Sequence, residues 1–268
     1  MITSVANERV KNIIKLQQKA KARREQNCFI VEGIRMAEEV PADRLIQAYV
    51  SESFAAKTEN QALCQRLKAE VVADHVMEAM SDTQTPQGVL AVVRRRDMKP
   101  ETIWQAPNAL IMVLERIQDP GNLGTIIRTA EGAGVTGIIM SADTVDIYNS
   151  KVIRSTMGSI YRMPFAYVSN VKQAVVAMKQ DGIRTYAAHL AGQHSYEEED
   201  YIGPTAFLIG NEGNGLTDEL TALSDCYIRI PMCGQVESLN AAVASAILMY
   251  EAGRQRRHAG SGAGNISK

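Results

Sequence analysis

The sequence is poor in the residues that build metal and disulfide scaffolds. It has four cysteines and four histidines in 268 residues, and no two cysteines form a C-x-x-C pair. Cys28, Cys64, Cys226 and Cys233 therefore give little support to a zinc ribbon or a disulfide framework, and reduced thiols in a cytoplasm are the simpler expectation, with no metal. No stretch approaches the roughly 18 uncharged apolar residues of a membrane span. The N-terminus opens on polar and basic residues rather than an apolar export signal, which argues against secretion and for a cytoplasmic protein with no membrane partner. Net charge is also nearly absent, at −1. What is present is ordinary: 46% hydrophobic and 22% charged residues, in a chain long enough for about two domains and a sizeable core.

Charge reappears when it is resolved along the chain. Between Met1 and Asn27 there are seven basic residues (Arg9, Lys11, Lys15, Lys19, Lys21, Arg23 and Arg24) against Glu8 and Glu25. A local positive arm attracts phosphate even on a near-neutral protein. The bland alternative is a solvated amphipathic helix with Val10, Ile13, Ile14 and Leu16 turned inward, and the arm alone does not choose between them.

The periodicity predicts a helix over 5–22, a strand over 28–31, a helix over 34–39, a strand over 45–50, a helix over 60–68 and a buried strand over 88–93. This α/β unit is expected to occupy residues 1–97. Residues 98–108 carry Pro100 and Pro107 and read as a linker. A second series follows over 109–257, with strands expected at 109–114, 136–140, 164–167, 183–188, 206–210 and 227–230 and helices between them. That alternation predicts an α/β fold with a mostly parallel sheet. The Gly/Ser-rich stretch 258–268 reads as a flexible tail.

One motif misleads. Gly132-Ala133-Gly134-Val135-Thr136-Gly137 matches the dinucleotide fingerprint G-x-G-x-x-G, whose mechanism needs a strand before the glycines and a helix after them. Here the order is reversed: Leu123, Ile126, Ile127 and Ala130 have helical spacing before it, and an apolar strand follows. The glycines are expected to end a helix.

Three other motifs each follow an expected strand. The first is Pro120-Gly121-Asn122-Leu123-Gly124-Thr125-Ile126-Ile127-Arg128, in which Asn122 is expected to cap a helix and Arg128 to lie off its apolar stripe. The second is Gly210-Asn211-Glu212-Gly213-Asn214-Gly215-Leu216, a turn whose glycines let a ligand lie against bare backbone and whose Glu212 is a candidate carboxylate. The third runs from Ile230-Pro231-Met232 to Ser238-Leu239-Asn240 and opens a helix rich in small residues, with Ser238 as its expected N-cap. Each alone passes as a cap or a turn. Their order carries the argument.

Together these residues resemble the signature of the SpoU (TrmH-like) family of the SPOUT superfamily. Residues 154–159, Phe29-Ile30-Val31-Glu32-Gly33 and Thr85-Pro86-Gln87-Gly88-Val89 extend the resemblance to about 1–257. The first part looks like the L30e-like RNA-binding domain often fused to these enzymes. The resemblance implies a C-terminal α/β-knot domain with a deep trefoil knot, S-adenosyl-L-methionine (AdoMet) as cofactor, and a homodimer with composite active sites. It implies methyl transfer to an RNA ribose 2′-hydroxyl, with ribosomal RNA favoured by the two-domain layout. Arg128, Asn122, Glu212, Ser238 and Asn240 would form the catalytic centre, and Gly210, Ile230, Met232 and Leu239 would hold the cofactor. A tRNA substrate and a non-catalytic RNA-binding protein on a decayed fold are the alternatives. Intact polar residues in all three motifs speak against decay.

Overall fold

The computed structural model describes residues 1–96, 98–192 and 194–262. The chain divides into two compact units, Met1–Arg96 with Asp146–Tyr161, and Asp97–Val145 with Arg162–Lys268. Among the described residues no helix is long and apolar enough to cross a membrane.

The first unit opens with α1 (Glu8–Gln18), capped by Asn7, and α2 (Ala20–Glu25). It continues through β1 (Cys28–Glu32), α3 (Ile34–Glu38), β2 (Leu45–Ser51), α4 (Glu52–Ala55), α5 (Gln61–Leu67), β3 (Glu70–Val72), α6 (Asp74–Met80) and β4 (Val89–Arg94). The sheet order is β1-β4-β2-β3, with β2 and β3 parallel and the other pairs antiparallel. Val10, Ile13 and Leu16 of α1 are buried with Ile30, Val76, Met77 and Met80. The helix expected over 5–22 is broken at Lys19, whose backbone is extended at φ −120° and ψ 109°. That break turns Arg23 inward, so one member of the expected basic arm is 4% exposed.

The second unit begins with α7 (Pro100–Trp104), inside the segment read as a linker. A five-residue helix is too short to show a period, yet Ile103 and Trp104 are buried in the core and the Trp104 indole donates to Asp181 at 2.9 Å. Then come β5 (Leu110–Leu114), α8 (Pro120–Ala133) and β6 (Gly137–Ser141). The misleading glycines do end α8: Gly134, at φ +81°, is its left-handed cap and donates to the carbonyls of Ala130 and Glu131.

The chain next runs through the first unit, where α9 (Ser150–Thr156) belongs. This excursion was not expected within 109–257. It is held by burial of Ile147, Tyr148, Val152 and Ile153. The Arg23 guanidinium donates to Asp146 at 2.6 Å and to the Leu16 and Gln17 carbonyls at 2.7 and 2.9 Å. Ser150 and Arg154 both donate to Asp82.

Back in the second unit, β7 (Phe165–Val168), α10 (Val171–Gln180), β8 (Arg184–Ala188), β9 (His194–Ser195), β10 (Thr205–Ile209), α11 (Asp218–Thr221), β11 (Cys226–Arg229) and α12 (Ala241–Gly262) complete the fold. Among the described residues its seven strands are all parallel, in the order β7-β6-β5-β10-β8-β11-β9. The helix α12 packs on α8 and carries residues 258–262 of the expected tail, while 263–268 lie outside the described residues. Every residue of β5 and β10 is buried, as a parallel sheet covered on both faces requires. From β5 the chain steps outward to β6 and β7, then crosses to the other side of β5, where it lays down β8 and the edge strand β9 before β10 inserts between β5 and β8. Strand order therefore reverses between β5 and β10, and ligands in open α/β sheets bind outside the carboxyl ends at such a point.

Candidate active site

Leu114 at the end of β5 pairs with Ile209 at the end of β10, so the loops that follow the two strands leave side by side. Glu115, 6% exposed, ties them together: its carboxylate accepts from the backbone N–H and the hydroxyl of Thr217, both at 2.8 Å. Thr217 is the N-cap of α11, so the far end of the glycine turn is anchored to the first strand. Arg116 then takes a left-handed φ of +55°, a conformation non-glycine residues hold only when their surroundings enforce it. Its carbonyl accepts from the side-chain amides of Asn211, at 2.8 Å, and Gln118, at 3.3 Å.

The cap of α8 is Asp119, not Asn122 as expected. Asp119 accepts from the Asn122 backbone N–H at 2.7 Å, with Pro120 in the first turn, where its missing N–H costs nothing. The Asn122 side chain is therefore free for other work, and it donates to Glu212 at 3.0 Å. Glu212 also accepts from the backbone N–H groups of Asp119 at 3.2 Å and Gln118 at 3.3 Å. Because a carboxylate can only accept, Asn122 must present its Nδ2 to Glu212, leaving its oxygen for the other side. There the Asn240 side-chain amide donates to it at 2.9 Å. The Asn240 oxygen in turn accepts from the backbone N–H groups of Ala242 and Val243, at 2.9 and 3.3 Å, and so caps α12. Asn240, Asn122 and Glu212, one from each motif, thus form a single hydrogen-bonded row with one consistent direction.

Partial burial pushes the pKa of Glu212 up, but hydrogen bonds from the Asn122 side chain and from backbone N–H groups, including those of Asp119 and Gln118, outweigh it. The group sits below its ordinary value and stays ionised at neutral pH.

Two expected site residues lie outside this row. Ser238 is exposed, and the cap expected of it is made by Asn240, because the helix starts at Ala241 rather than two residues earlier. Arg128 is exposed on α8, six residues after Asn122 and so about 240° around the helix. Neither the Arg128 nor the Ser238 side chain makes a hydrogen bond or ion pair within the described residues.

The backbone beside the row is shaped for close approach. A Cβ on Gly210 would lie 2.0–2.3 Å from backbone atoms of Gly215 and Leu216, so no other residue fits there. Residues 231–239 form no helix or strand, and within the described residues their polar groups make no hydrogen bond. Ile230, Met232 and Leu239 are half-buried around that free backbone. Solvent-facing backbone donors and acceptors interleaved with half-buried apolar side chains suit a flat heteroaromatic ligand carrying polar edges.

A profile of the SpoU rRNA Methylase family matches residues 109–250, more than half of the chain. The chain belongs to this family.

A second profile, the MRM3-like substrate binding domain, matches residues 7–91. Among curated SpoU relatives, the 23S rRNA (guanosine(2553)-2′-O)-methyltransferase RlmP of Bacillus subtilis is 32% identical over 252 residues, 93% of this chain and 97% of RlmP. An rRNA methyltransferase from Sinorhizobium meliloti superposes with a TM-score of 0.83 at 32% identity, covering 96% of this chain and 97% of that one. The SpoU methyltransferase AviRb from Streptomyces viridochromogenes, in complex with the cofactor AdoMet, superposes at 0.84 and 28% identity over 94% and 98%.

Within this SpoU chain, sequence reasoning missed Glu115, Asp119 and Asn211 as builders of the site. Asp119 was detectable, since an aspartate directly before a proline that opens a helix is a capping signal. Glu115 was not, because its partner Thr217 lies 102 positions away.

Proposed function

We propose that this chain transfers a methyl group from AdoMet to a ribose 2′-hydroxyl of ribosomal RNA, working in the cytoplasm as a homodimer. The observation that carries the reading is the hydrogen-bonded row of Asn240, Asn122 and Glu212 at the strand-order reversal, beside a stretch of free backbone. Bound AdoMet supplies an electrophilic methyl on a sulfonium. Gly210, Ile230, Met232 and Leu239 would hold its adenosine part, beside the exposed backbone of 231–239. The protein's own task is to align the hydroxyl and help move its proton. Asn122, Glu212, Ser238 and Asn240 supply the polar centre. The ionised Glu212 holds Asn122, and Asn122 holds Asn240, so the row keeps one orientation without reorganising.

Arginine stays protonated, which makes Arg128 a poor base but a good ligand for the phosphate next to the target ribose. Its direction on α8, away from the row, supports a composite site in which a second copy supplies it. Val243 and Tyr250, seven residues apart on one face of α12 and about half exposed, support an apolar contact between copies. In this reading the chain that returns from β11, past β8 and β10, to Asn122 at the loop after β5 is threaded as a trefoil knot.

The first unit takes the RNA in this reading. Lys11 and Lys15 on α1, Lys19 at the break, and Lys21 and Arg24 on α2 are exposed. It also has a cavity of about 370 Å³ lined by Ser51, Lys57 and Gln87 together with the acidic Asp74 and Glu78. Relatives that carry 23S rRNA in their names favour that substrate over tRNA. Calorimetric titration with AdoMet, followed by transfer of labelled methyl to 23S rRNA and to tRNA, tests the reading. Heat of binding and label on rRNA ribose are expected. No heat and no transfer would overturn the enzyme assignment, and label on tRNA alone would overturn the substrate.

A further inference from the structure

One cluster of ligand-type side chains has no task in this reaction. It lies at the outer edge of the second sheet, where the two-residue strand β9 pairs with β11 through Ile228 and His194. The pairing brings His194, Glu199 and Cys226 together, with their ligand atoms all within 4.8 Å of one another. Glu199 Oε1 is the common point, 3.4 Å from the Cys226 sulfur and 3.7 Å from His194 Nδ1. Its other oxygen is held by Arg184 at 3.0 Å, and the carboxylate is only 11% exposed. The carboxylate is therefore pinned by its far oxygen with its near oxygen aimed between a thiol and an imidazole. Carboxylate ligands in metal sites are oriented in this way by partners behind them.

We propose that His194, Glu199 and Cys226 form a binding site for a zinc-type divalent cation. One nitrogen, one sulfur and one oxygen donor suit a borderline-soft ion such as zinc or cobalt and do not suit magnesium or calcium, which take oxygen ligands. Zinc bonds of about 2.0–2.3 Å set ligand edges of about 3.3–3.8 Å in a tetrahedron. Two edges here are already at that size, and rotation of the exposed His194 closes the third. On binding, the metal–sulfur bond replaces the S–H bond and the thiol proton leaves to buffer. Water takes the fourth position. The ion would staple the chain between β9 and Glu199 to β11, the strand that feeds the 231–239 backbone. The site is invisible to spacing rules because Cys226 lies 32 residues from His194.

The test is titration of chelator-stripped protein with Co²⁺, reading the near-ultraviolet thiolate-to-cobalt band and the visible bands of tetrahedral cobalt. A saturable signal displaced by Zn²⁺ is expected, together with a rise in Tm on adding Zn²⁺. Cys226→Ser should abolish the thiolate band and Cys233→Ser should leave it unchanged. His194→Ala, at an exposed edge position, tests the same site if Cys226→Ser does not fold. A wild-type protein with no saturable signal, or a band that survives in both Cys226→Ser and His194→Ala, would overturn the site. The readouts need neither RNA nor AdoMet, so their failure leaves the methyltransferase reading untouched.

Discussion

At the scale of single residues, the site depends on which groups are already committed. Asp119 takes over the capping of α8 and Asn240 caps α12, so Asn122 is left to bridge Glu212 and Asn240. Arg128 is committed to nothing among the described residues, as a residue waiting for substrate would be. Arg128→Ala is expected to reduce single-turnover methylation by at least about a hundredfold, the scale of a lost positioning group, with AdoMet affinity nearly unchanged. Full activity in that mutant would remove Arg128 from the centre. For Glu212 the folded pKa lies below the unfolded one. Its contribution to stability is therefore complete above the ordinary glutamate pKa and disappears as pH falls through the depressed value. Glu212→Gln should be less stable than wild type at neutral pH, with the gap closing in acid, as read by denaturant unfolding across that range. A gap independent of pH would contradict the charge-based account.

At the scale of elements, the strands of the second unit were legible and the loops that matter were not. The six strands expected from apolar runs coincide with β5, β6, β7, β8, β10 and β11 to within a residue or two; β5, β6 and β10, buried throughout, read as nearly unbroken apolar runs, and the others still carry buried apolar residues. The edge strand β9, with two residues, has no run to read. The same limit hid α7, and an amphipathic pattern that continued through Lys19 hid the break between α1 and α2. The glycine turn after β10 offers the sharpest element-scale test. Gly210→Ala forces a methyl group onto backbone that has no rotamer to yield, which should cost about 3 kcal/mol of stability and abolish AdoMet binding. Calorimetry and thermal unfolding of the mutant check both. A Gly210→Ala protein that binds AdoMet normally would exclude this turn as part of the cradle.

At the scale of the whole molecule, one feature was out of reach of pattern reading and another is a proposal open to test. One is that Asp146–Tyr161 belongs to the first unit although it lies within the family match of the second. Arg23 secures it, buried with its guanidinium on Asp146 and on two carbonyls. Arg23→Ala leaves those acceptors without their donor and should destabilise the first unit by about 3 kcal/mol. Hydrogen exchange should then rise first across 146–161, and uniform exchange over the whole unit would refute the local role. The other is the proposed composite site. Equal amounts of Arg128→Ala and Glu212→Ala chains, each inactive alone, should regain about a quarter of wild-type activity when dissociated and re-paired, since half the dimers would be mixed, each with one intact site. No recovery from a confirmed mixed dimer would place all catalytic groups on one chain.

The sequence by itself determined the family, the α/β class, the parallel strands and the identity of the polar residues, because these follow from residue types at short spacing. A turn, a cap or a buried strand is written in fewer than about ten consecutive positions. Only the tertiary structure decided that Asn122 bridges instead of caps and that Asn240 rather than Ser238 starts the last helix. It alone placed Glu115 against Thr217 and gathered His194, Glu199 and Cys226 at one edge. Most of these are contacts between segments dozens to more than a hundred residues apart. Their geometry is set by strand order, and strand order is chosen by how whole sheets and helices bury their apolar faces.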